Sequence, residues 1–135
     1  MSNLIEKRFT IKTLHNKGFA PLYDALFYGK YRALSNNSRV LYSKLVQYLN
    51  LALKLGWYNE KEELYVQVKR STLQYKITVS KPTLIGLYAQ LKEIGLIDIE
   101  QMGSNIVDKI YIKEPIYFDL TEEDLEKELL SDGYL

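Results

Sequence analysis

The 135-residue chain contains no cysteine and a single histidine, His15. Without cysteine, disulfide scaffolds, thiolate zinc sites and cysteine nucleophiles are excluded. One imidazole excludes a multi-histidine metal site and leaves little for acid–base chemistry, so we interpret His15 as a surface or packing residue. Because the sequence contains no nucleophile–base or metal-binding pattern, we expect no metal, no cofactor, and a binding protein rather than an enzyme.

Long apolar runs are also missing. No segment approaches the length of a membrane span, and no charged-then-apolar leader opens the chain. We therefore expect a cytoplasmic protein that makes no membrane contact. Hydrophobic residues make up 47% and charged residues 26% of the chain, which is the balance of one ordinary globular domain.

Negative charge is scarce outside the C-terminal segment. Residues 113–135 contain eight acidic and two basic residues, whereas residues 1–112 contain nine acidic and sixteen basic ones. The whole-chain charge of +1 therefore conceals a body with a net charge of +7. This asymmetry is typical of polyanion-binding proteins, but a mildly basic domain with a solubilising tail has it too. Charge alone leaves both interpretations open.

The N-terminal half is predicted to supply helices that precede a second structural unit. Arg8–Lys12 alternates as a short strand or an extended arm does. Pro21 favours the start of a helix that stops near Gly29. Ser35 or Ser38 caps the next helix, which covers 38–55 and ends at Gly56. Because that helix is apolar on nearly all sides, it is predicted to be central or half-covered by a partner subunit.

The region after Gly56 is predicted to contain a strand, a short helix, a tight turn, a longer helix and a hairpin. The capping-box spacing from Ser71 to Gln74 predicts the start of the short helix. Ser80 is predicted to cap the longer helix, and Gly95 to end it. The order is that of an α+β winged helix-turn-helix with extra N-terminal helices and a two-stranded wing. The ranges are strand 64–68, turn 78–79, helix 80–94, and hairpin strands 96–101 and 106–112.

This pattern predicts one domain followed by an acidic segment. Residues 1–113 are predicted to form the winged-helix DNA-binding domain. Residues 114–135 are predicted to be an acidic tail, or the start of a linker to a missing C-terminal domain. Within the tail, Thr121 and Asp124 followed by Leu125 and Leu129 indicate one short amphipathic helix.

The predicted helix 80–94 has two contrasting faces. At about 100° per residue, one face is apolar and predicted to be core, and it consists of Leu84, Leu87, Tyr88, Leu91 and Ile94. The opposite face is small and weakly polar, which is unusual for a helix exposed to water. It carries Pro82, Ile85, Gly86 and Ala89, with Lys81 and Lys92 at its edges. Either this face approaches a DNA groove closely, or it is buried in a dimer contact.

The predicted DNA-binding residues fall into three groups. Those at the start and outer face of helix 80–94 are predicted to contact phosphates, base edges and thymine methyls. Nearby basic residues are predicted to neutralise phosphates, although each such residue taken alone is more often just a solvated surface charge. Hairpin-tip residues are predicted to reach the backbone or an adjacent groove, although a turn requires the same residue types. The set is Lys69, Arg70, Lys76, Thr78, Ser80, Lys81, Pro82, Thr83, Ile85, Gly86, Ala89, Gln101, Ser104 and Asn105, with Lys109 as a further basic candidate.

The chain also has twelve tyrosines. Most of them, including Tyr42, Tyr48, Tyr65 and Tyr88, lie at core-compatible positions. The predicted strands provide no face of stacked rings for single-stranded bases. The tyrosines therefore favour core packing over a single-strand platform.

Between about residues 20 and 113 the sequence resembles the RepA_N family, the N-terminal domain of replication initiators of plasmids from low-GC Gram-positive bacteria. The segments around Gly56-Trp57 carry the family-specific likeness, because the Ser80 block occurs across winged helices. The matching segments are Phe27–Ser35 with Tyr31, Ser38–Tyr42, the helix ending at Gly56-Trp57, Asn59–Glu63, Leu64–Val66, Val79–Thr83, Leu91–Ile97 and Lys109–Lys113.

The resemblance implies a winged-helix domain that dimerises, binds repeated origin sites (iterons) and helps to recruit host replication proteins. It also implies a chain about twice as long, so the stop at Leu135 predicts an isolated domain that lacks a C-terminal region. Gly86 stands where many winged helices place a basic base-reading residue, which departs from the general pattern.

We therefore predict a sequence-specific double-stranded DNA-binding domain of a plasmid replication initiator. Helix 80–94 is predicted to enter the major groove, with the wing at 101–106 on the backbone or minor groove. The dimer, held by helix 38–55 and the N-terminal segment, is predicted to space two half-sites about one helical turn apart. The alternatives are a winged-helix transcriptional regulator, and a protein-interaction module that does not bind DNA.

Overall fold

The computed structural model of the chain describes residues 6–12, 20–117 and 121–133. Short 3₁₀ helices at Asp24–Phe27 and Gly29–Ala33 precede α1 (Asn36–Gln47) and α2 (Leu49–Leu55). They are followed by β1 (Tyr65–Val66), α3 (Arg70–Ile77), α4 (Lys81–Glu93), β2 (Ile97–Glu100), β3 (Lys109–Ile112) and α5 (Glu122–Ser131). The order from β1 to β3 confirms the predicted winged helix-turn-helix. His15 lies outside the described residues.

The wing belongs to a three-stranded antiparallel sheet in the order β1–β3–β2. In the hairpin, Ile97 pairs with Ile112 and Glu100 with Lys109. The first strand is shorter than the predicted 64–68, because only Tyr65 and Val66 pair with β3. After Val66 the hydrogen bond to the wing is made by a side chain, because the Gln67 Nε2 donates to the Val107 carbonyl at 3.0 Å.

One apolar core joins α1, α3, α4 and the sheet. The inner face of α4 supplies Leu84, Leu87, Tyr88 and Leu91, all buried as the helical spacing predicts. Each fully buried leucine contributes roughly 2 kcal/mol of transfer free energy. Because Leu41 and Leu45 of α1 pack in the same cluster, α4 is held with its opposite face outward.

The N-terminal elements differ from the prediction. Arg8–Lys12 forms no strand within the described residues, and Phe9 and Ile11 are exposed. The helix expected after Pro21 is replaced by the two 3₁₀ helices, which are separated at Tyr28, and the second begins at Gly29 with a φ of 54°. The buried Arg39 guanidinium explains the irregular path, because it donates to the carbonyls of Leu26 and Tyr31 at 2.9 and 3.1 Å.

The predicted helix 38–55 is divided into α1 and α2 at Tyr48. The Tyr48 amide donates to the Leu45 carbonyl, three residues back, at 3.1 Å, and this tightened turn allows α2 to begin anew. Ser35 caps α1 by accepting the Ser38 amide at 3.2 Å. Gly56 ends α2 in the left-handed region, as predicted.

The capping box predicted at Ser71 is wrong. Helix α3 begins at Arg70, and its cap residue Lys69 provides no side-chain hydrogen bond. The Lys69 carbonyl instead accepts the amides of Thr72 and Leu73 at 3.0 and 3.2 Å. Ser71 is therefore inside the first turn rather than in front of it.

The C-terminal segment begins as part of the same packed body. Pro115 is buried, the Ile116 amide donates to the Tyr31 hydroxyl at 3.0 Å, and the Tyr117 ring meets the Tyr31 ring edge-on. The predicted helix that follows Thr121 is present as α5, with a reciprocal capping box between Thr121 and Asp124. None of the helices in the described ranges is long and apolar enough to cross a membrane.

Candidate nucleic-acid interface

The amino end of α4 is open. The Ser80 side chain caps the helix by accepting the Thr83 amide at 3.4 Å, and its hydroxyl donates to the Thr83 side chain at 2.9 Å. Lys81, Pro82 and Thr83 are all exposed, and Pro82 is tolerated in the first turn because amides there lack intrahelical partners. This end of α4 therefore presents hydroxyls, an ammonium and the positive end of the helix dipole to solvent.

The outer face of α4 is also uncovered by the described part of the chain. Ile85 is 46% exposed, and Gly86 and Ala89 are exposed beside it. A Cβ atom at Gly86 would meet no atom within 4 Å, so internal packing does not require glycine there. The face is small and apolar, as predicted, and leaves room for another surface to approach the helix backbone.

The turn between α3 and α4 is tight. Thr78 adopts a φ of 59°, in the left-handed region that a β-branched residue rarely occupies, and the Val79 amide donates to the Gln74 carbonyl at 3.0 Å. Such strain costs about 1–3 kcal/mol. This backbone conformation closes the turn between α3 and α4, and the Thr78 side chain is exposed.

An open groove of about 470 Å³ separates α4 from the wing. The structure brings Arg70 of α3, Ile85 and Ala89 of α4, and Gln101 of the wing around this groove. Lys92 also lines this groove. The helical projection predicts it only at the edge of the outer face of α4. Four predicted residues from three elements therefore converge on one groove.

A second depression, of about 380 Å³, lies between the start of α3 and the hairpin tip. Lys69, Arg70, Ser71 and Asn105 line it together with Tyr88 and Asp108, among others. The Arg70 guanidinium lies 3.7 Å from the Asp108 carboxylate and 5.4 Å from the centre of the Tyr88 ring. Asp108 and the Tyr88 hydroxyl are features of this site that the sequence did not indicate.

The Tyr88 hydroxyl is exceptional among the described buried polar groups, because it has no hydrogen-bond partner. Burial raises the pKa of Tyr88 to about 12, with Arg70 acting to lower it and Asp108 to raise it. The hydroxyl is therefore protonated at neutral pH and available as a donor.

The remaining predicted basic residues lie elsewhere. The Lys76 ammonium is 5.6 Å from the Tyr48 ring centre, which places it at the junction of α1 and α2 rather than in the groove. The Lys109 ammonium is 4.6 Å from the Tyr65 ring centre, over the sheet. Each cation is stabilised by an aromatic face, so the basic residues that line the groove are Arg70 and Lys92. Lys69 lines the neighbouring depression, and Lys81 is exposed at the amino end of α4.

The hairpin tip is exposed from Gly103 to Ile106. Gly103 and Asn105 both adopt positive φ, at 104° and 64°, which accounts for their residue types as turn chemistry. Ile106 is an exposed apolar side chain that lines the depression between α3 and the hairpin tip. The tip itself carries no basic residue, so any contact it makes there depends on Ser104 and Asn105.

Comparison with solved structures places the fold among DNA-binding and initiator proteins. A structure titled "N-Terminal domain of DNA binding protein" has a TM-score of 0.71 at 23% identity, covering 97% of this chain and 98% of that one. "Structure of Rep-DNA complex" has a TM-score of 0.71 at 24% identity, covering 96% and 98%. "Structure of MDR initiator" has a TM-score of 0.68 at 18% identity, covering 93% and 98%. These likenesses establish the shared fold.

Comparison with curated proteins finds no match. Among protein families, the one described as replication initiator protein A (RepA) N-terminus matches residues 18–127. That span covers the 3₁₀ helices, the winged helix and part of α5, which is most of the chain. The chain therefore belongs to the replication initiator protein A (RepA) N-terminus family.

Proposed function

We propose that this replication-initiator domain binds double-stranded DNA sequence-specifically at repeated sites of a plasmid origin. The observation that carries the proposal is the outward face of α4, which is exposed, small and open at its amino end. A helix of this kind fits a major groove, because small side chains let its backbone approach the groove floor. The structure titled as a Rep–DNA complex, which shares the fold, supports the same use.

In this proposal α4 enters the major groove with its amino end first. Ser80, Lys81 and Thr83 contact phosphates or base edges, helped by the positive end of the helix dipole. Ile85 and Ala89 contact thymine methyl groups, and Gly86 permits close approach. Pro82 and Thr78 shape the surface at the entry to the helix.

The backbone of one strand then follows the groove between α4 and the wing. Lys69, Arg70 and Lys92 neutralise phosphates there, and these contacts add affinity without sequence information. Gln101, Ser104 and Asn105 of the wing contact sugars, phosphates or the adjacent minor groove. Lys76, which lies at the α1–α2 junction, is retained as a contact to flanking phosphates.

A homodimer is part of the proposal. The surface of α2 supports it, because Leu51 and Leu55 are exposed on one face of the seven-residue helix, and an exposed apolar face favours association. Two copies of α4 would then contact half-sites roughly 34–36 Å apart, about one helical turn. Host replication proteins stay predicted partners, and no described residue is assigned to them.

The test is binding of the purified protein to duplexes that carry the repeats of its own plasmid origin. We expect preference for the repeats over scrambled duplex at moderate salt, and an affinity that falls steeply as salt is added. Footprinting reports the site, its spacing and the stoichiometry together. Equal binding to scrambled duplex would overturn the proposal.

Charge reversal separates a DNA-binding protein from a protein-docking module. Lys81→Glu and Arg70→Glu are expected to abolish duplex binding, whereas Lys61→Glu, an exposed lysine in the loop before β1, controls for net charge. Unchanged duplex affinity in both interface variants would favour the docking module. Repression of a reporter by a protein that plasmid replication does not need would favour a transcriptional regulator.

A further inference from the structure

The Tyr88 hydroxyl is buried without a hydrogen-bond partner in the part of the chain that the structure describes, which is a costly arrangement. Tyr88 is only 4% exposed, and its hydroxyl accepts and donates no hydrogen bond within the described residues. Such a hydroxyl has left water and gained nothing, so it destabilises the folded state. Phenylalanine would fill the same space without that penalty. The hydroxyl is therefore a candidate for a contact made only when something binds.

Tyr88 lies where two open features of the surface meet. Its side chain lines the groove between α4 and the wing and also the depression between α3 and the hairpin tip. The Arg70 guanidinium lies across its ring at 5.4 Å from the ring centre. The Arg70 side chain is 43% exposed, so its guanidinium can leave the Tyr88 ring without disturbing the core.

The ion pair that holds Arg70 is loose. The nearest nitrogen and oxygen of Arg70 and Asp108 are 3.7 Å apart, beyond the 2.7–2.9 Å typical of a charge-assisted hydrogen bond. Asp108 is on the wing side of the same depression, and Ser71 exposes its hydroxyl at the start of α3. The first residues of helix α3 line this depression, and no side chain of the described residues caps that positive end of the helix.

We propose that Arg70, Ser71 and Tyr88 form a binding site for one DNA backbone phosphate, which Asp108 competes for in the free protein. The inference rests on the proposed function, because it requires a DNA strand between α4 and the wing. An arriving phosphate takes the Arg70 guanidinium from Asp108 through a shorter contact. The movement of Arg70 uncovers the Tyr88 hydroxyl, which donates to the same phosphate.

The proposal predicts that two substitutions weaken the affinity for origin-repeat duplex and that a third strengthens it. Arg70→Gln weakens binding most, by tenfold or more, since it removes the charge. Tyr88→Phe weakens binding by about tenfold, the order of a hydrogen bond to a charged group, while the melting temperature of the free protein stays equal or rises. Asp108→Asn strengthens binding by about threefold, because the competing carboxylate is gone.

Two matched controls distinguish this site from general effects. Tyr42 is also a buried tyrosine, but its hydroxyl donates to the Lys113 carbonyl at 2.6 Å, so Tyr42→Phe should lower the melting temperature without weakening DNA binding. Asp98 is a carboxylate on β2 paired with Lys113 at 3.1 Å, so Asp98→Asn removes a wing charge at another place and should leave affinity unchanged.

Double variants and modified DNA complete the experiment. In an Arg70→Gln background, Tyr88→Phe and Asp108→Asn should have little further effect, because all three act on one phosphate. A scan of single methylphosphonate substitutions, which remove one backbone charge each, should find a position that weakens the wild-type protein but not Arg70→Gln.

Several outcomes would overturn the inference while leaving DNA binding itself intact. They are wild-type affinity in Tyr88→Phe, weaker binding by Asp108→Asn, additive losses in the double variants, or no methylphosphonate position specific to Arg70. Failure of the wild-type protein to bind any duplex would instead overturn the proposed function on which the inference rests.

Discussion

The α1 side and the wing side of this domain treat buried polar groups differently. On the α1 side, Arg39 is 8% exposed and donates to two backbone carbonyls, and the buried Ser38 hydroxyl donates to Gln90 at 2.5 Å. On the wing side, the Tyr88 hydroxyl has no partner among the described residues, and the Arg70–Asp108 pair is long and partly exposed. Both sides pack against the same helix, α4.

This contrast distinguishes polar groups whose hydrogen bonds stabilise the fold from polar groups that can still bind a ligand. A satisfied polar network stabilises one arrangement and has nothing left to offer a ligand. A buried donor without a partner destabilises the folded state, and a long, exposed ion pair adds little stability, so both groups can take new partners on binding at small cost. The α1 side therefore holds α4 in place, and the wing side supplies the groups that a DNA backbone needs.

The sharpest test of the comparison uses the two faces of α4. Leu91 is completely buried and Ile85 is exposed. Leu91→Ala should lower the free energy of unfolding by about 3 kcal/mol through lost transfer free energy and a residual cavity, as measured by urea denaturation. Ile85→Ala should change it by less than about 0.5 kcal/mol and weaken DNA binding instead. A large stability loss in Ile85→Ala would show that the outer face packs internally.

The next largest effect is expected at Arg39. Arg39→Gln removes the guanidinium hydrogen bonds to the carbonyls of Leu26 and Tyr31, of which the Tyr31 carbonyl still accepts the Leu34 amide at 3.0 Å. It also removes the contact between the guanidinium and the Phe27 ring at 4.4 Å. We expect a loss of about 2–3 kcal/mol, measured by urea denaturation, and faster hydrogen exchange in 24–33 than in α4. Uniform acceleration of exchange throughout the domain would contradict a local role.

Helical periodicity was sufficient for the part of the site that lies on one element. The exposed Ile85 and Ala89 and the buried Leu84 and Leu91 follow from 3.6 residues per turn, and Ser80 caps α4 as its residue type indicates. Hairpin residues with positive φ, Gly103 and Asn105, were equally visible from turn chemistry. These features depend on neighbours in sequence.

Features that depend on distant parts of the chain were not predictable. Arg70 and Asp108 are brought together only when the wing packs beside α3, and no local pattern marks either as half of a pair. The interruption at Tyr48 and the 3₁₀ helices likewise depend on tertiary contacts, among them the carbonyls that Arg39 occupies. The proposed phosphate site is therefore a property of the fold rather than of any motif.

Gln90 lies on the α1 side of α4 and gives a smaller expected effect. Its side-chain oxygen accepts the Ser35 amide at 3.3 Å and the hydroxyls of Ser35 and Ser38 at 3.1 and 2.5 Å, which ties α4 to the cap of α1. Gln90→Ala should cost about 1 kcal/mol in thermal or urea denaturation. The matched variant Gln101→Ala, on the wing, should leave stability unchanged and weaken DNA binding. Equal losses of stability in Gln90→Ala and Gln101→Ala would contradict the proposed difference between the α1 side and the wing side.

The smallest effect concerns pH and the acidic helix α5. The Asp124 carboxylate accepts the Thr121 amide at 2.8 Å and the Thr121 hydroxyl at 3.1 Å, and these bonds hold the pKa of Asp124 below its usual value. Because the folded pKa is the lower one, the contribution of this cap is complete above the usual aspartate pKa. It is lost only as the pH falls through the depressed value.

The Thr121 amide resonance should therefore keep its capped chemical shift through the ordinary titration range of aspartate and change only at more acidic pH. Asp124→Asn should remove that acid transition, whereas Glu126→Gln, two residues away on the same exposed helix, should preserve it. Global unfolding should change little in either variant, since the group is exposed and solvent screens it. A Thr121 transition that survives in Asp124→Asn would show that another group titrates there, and that the Asp124 carboxylate does not cap α5.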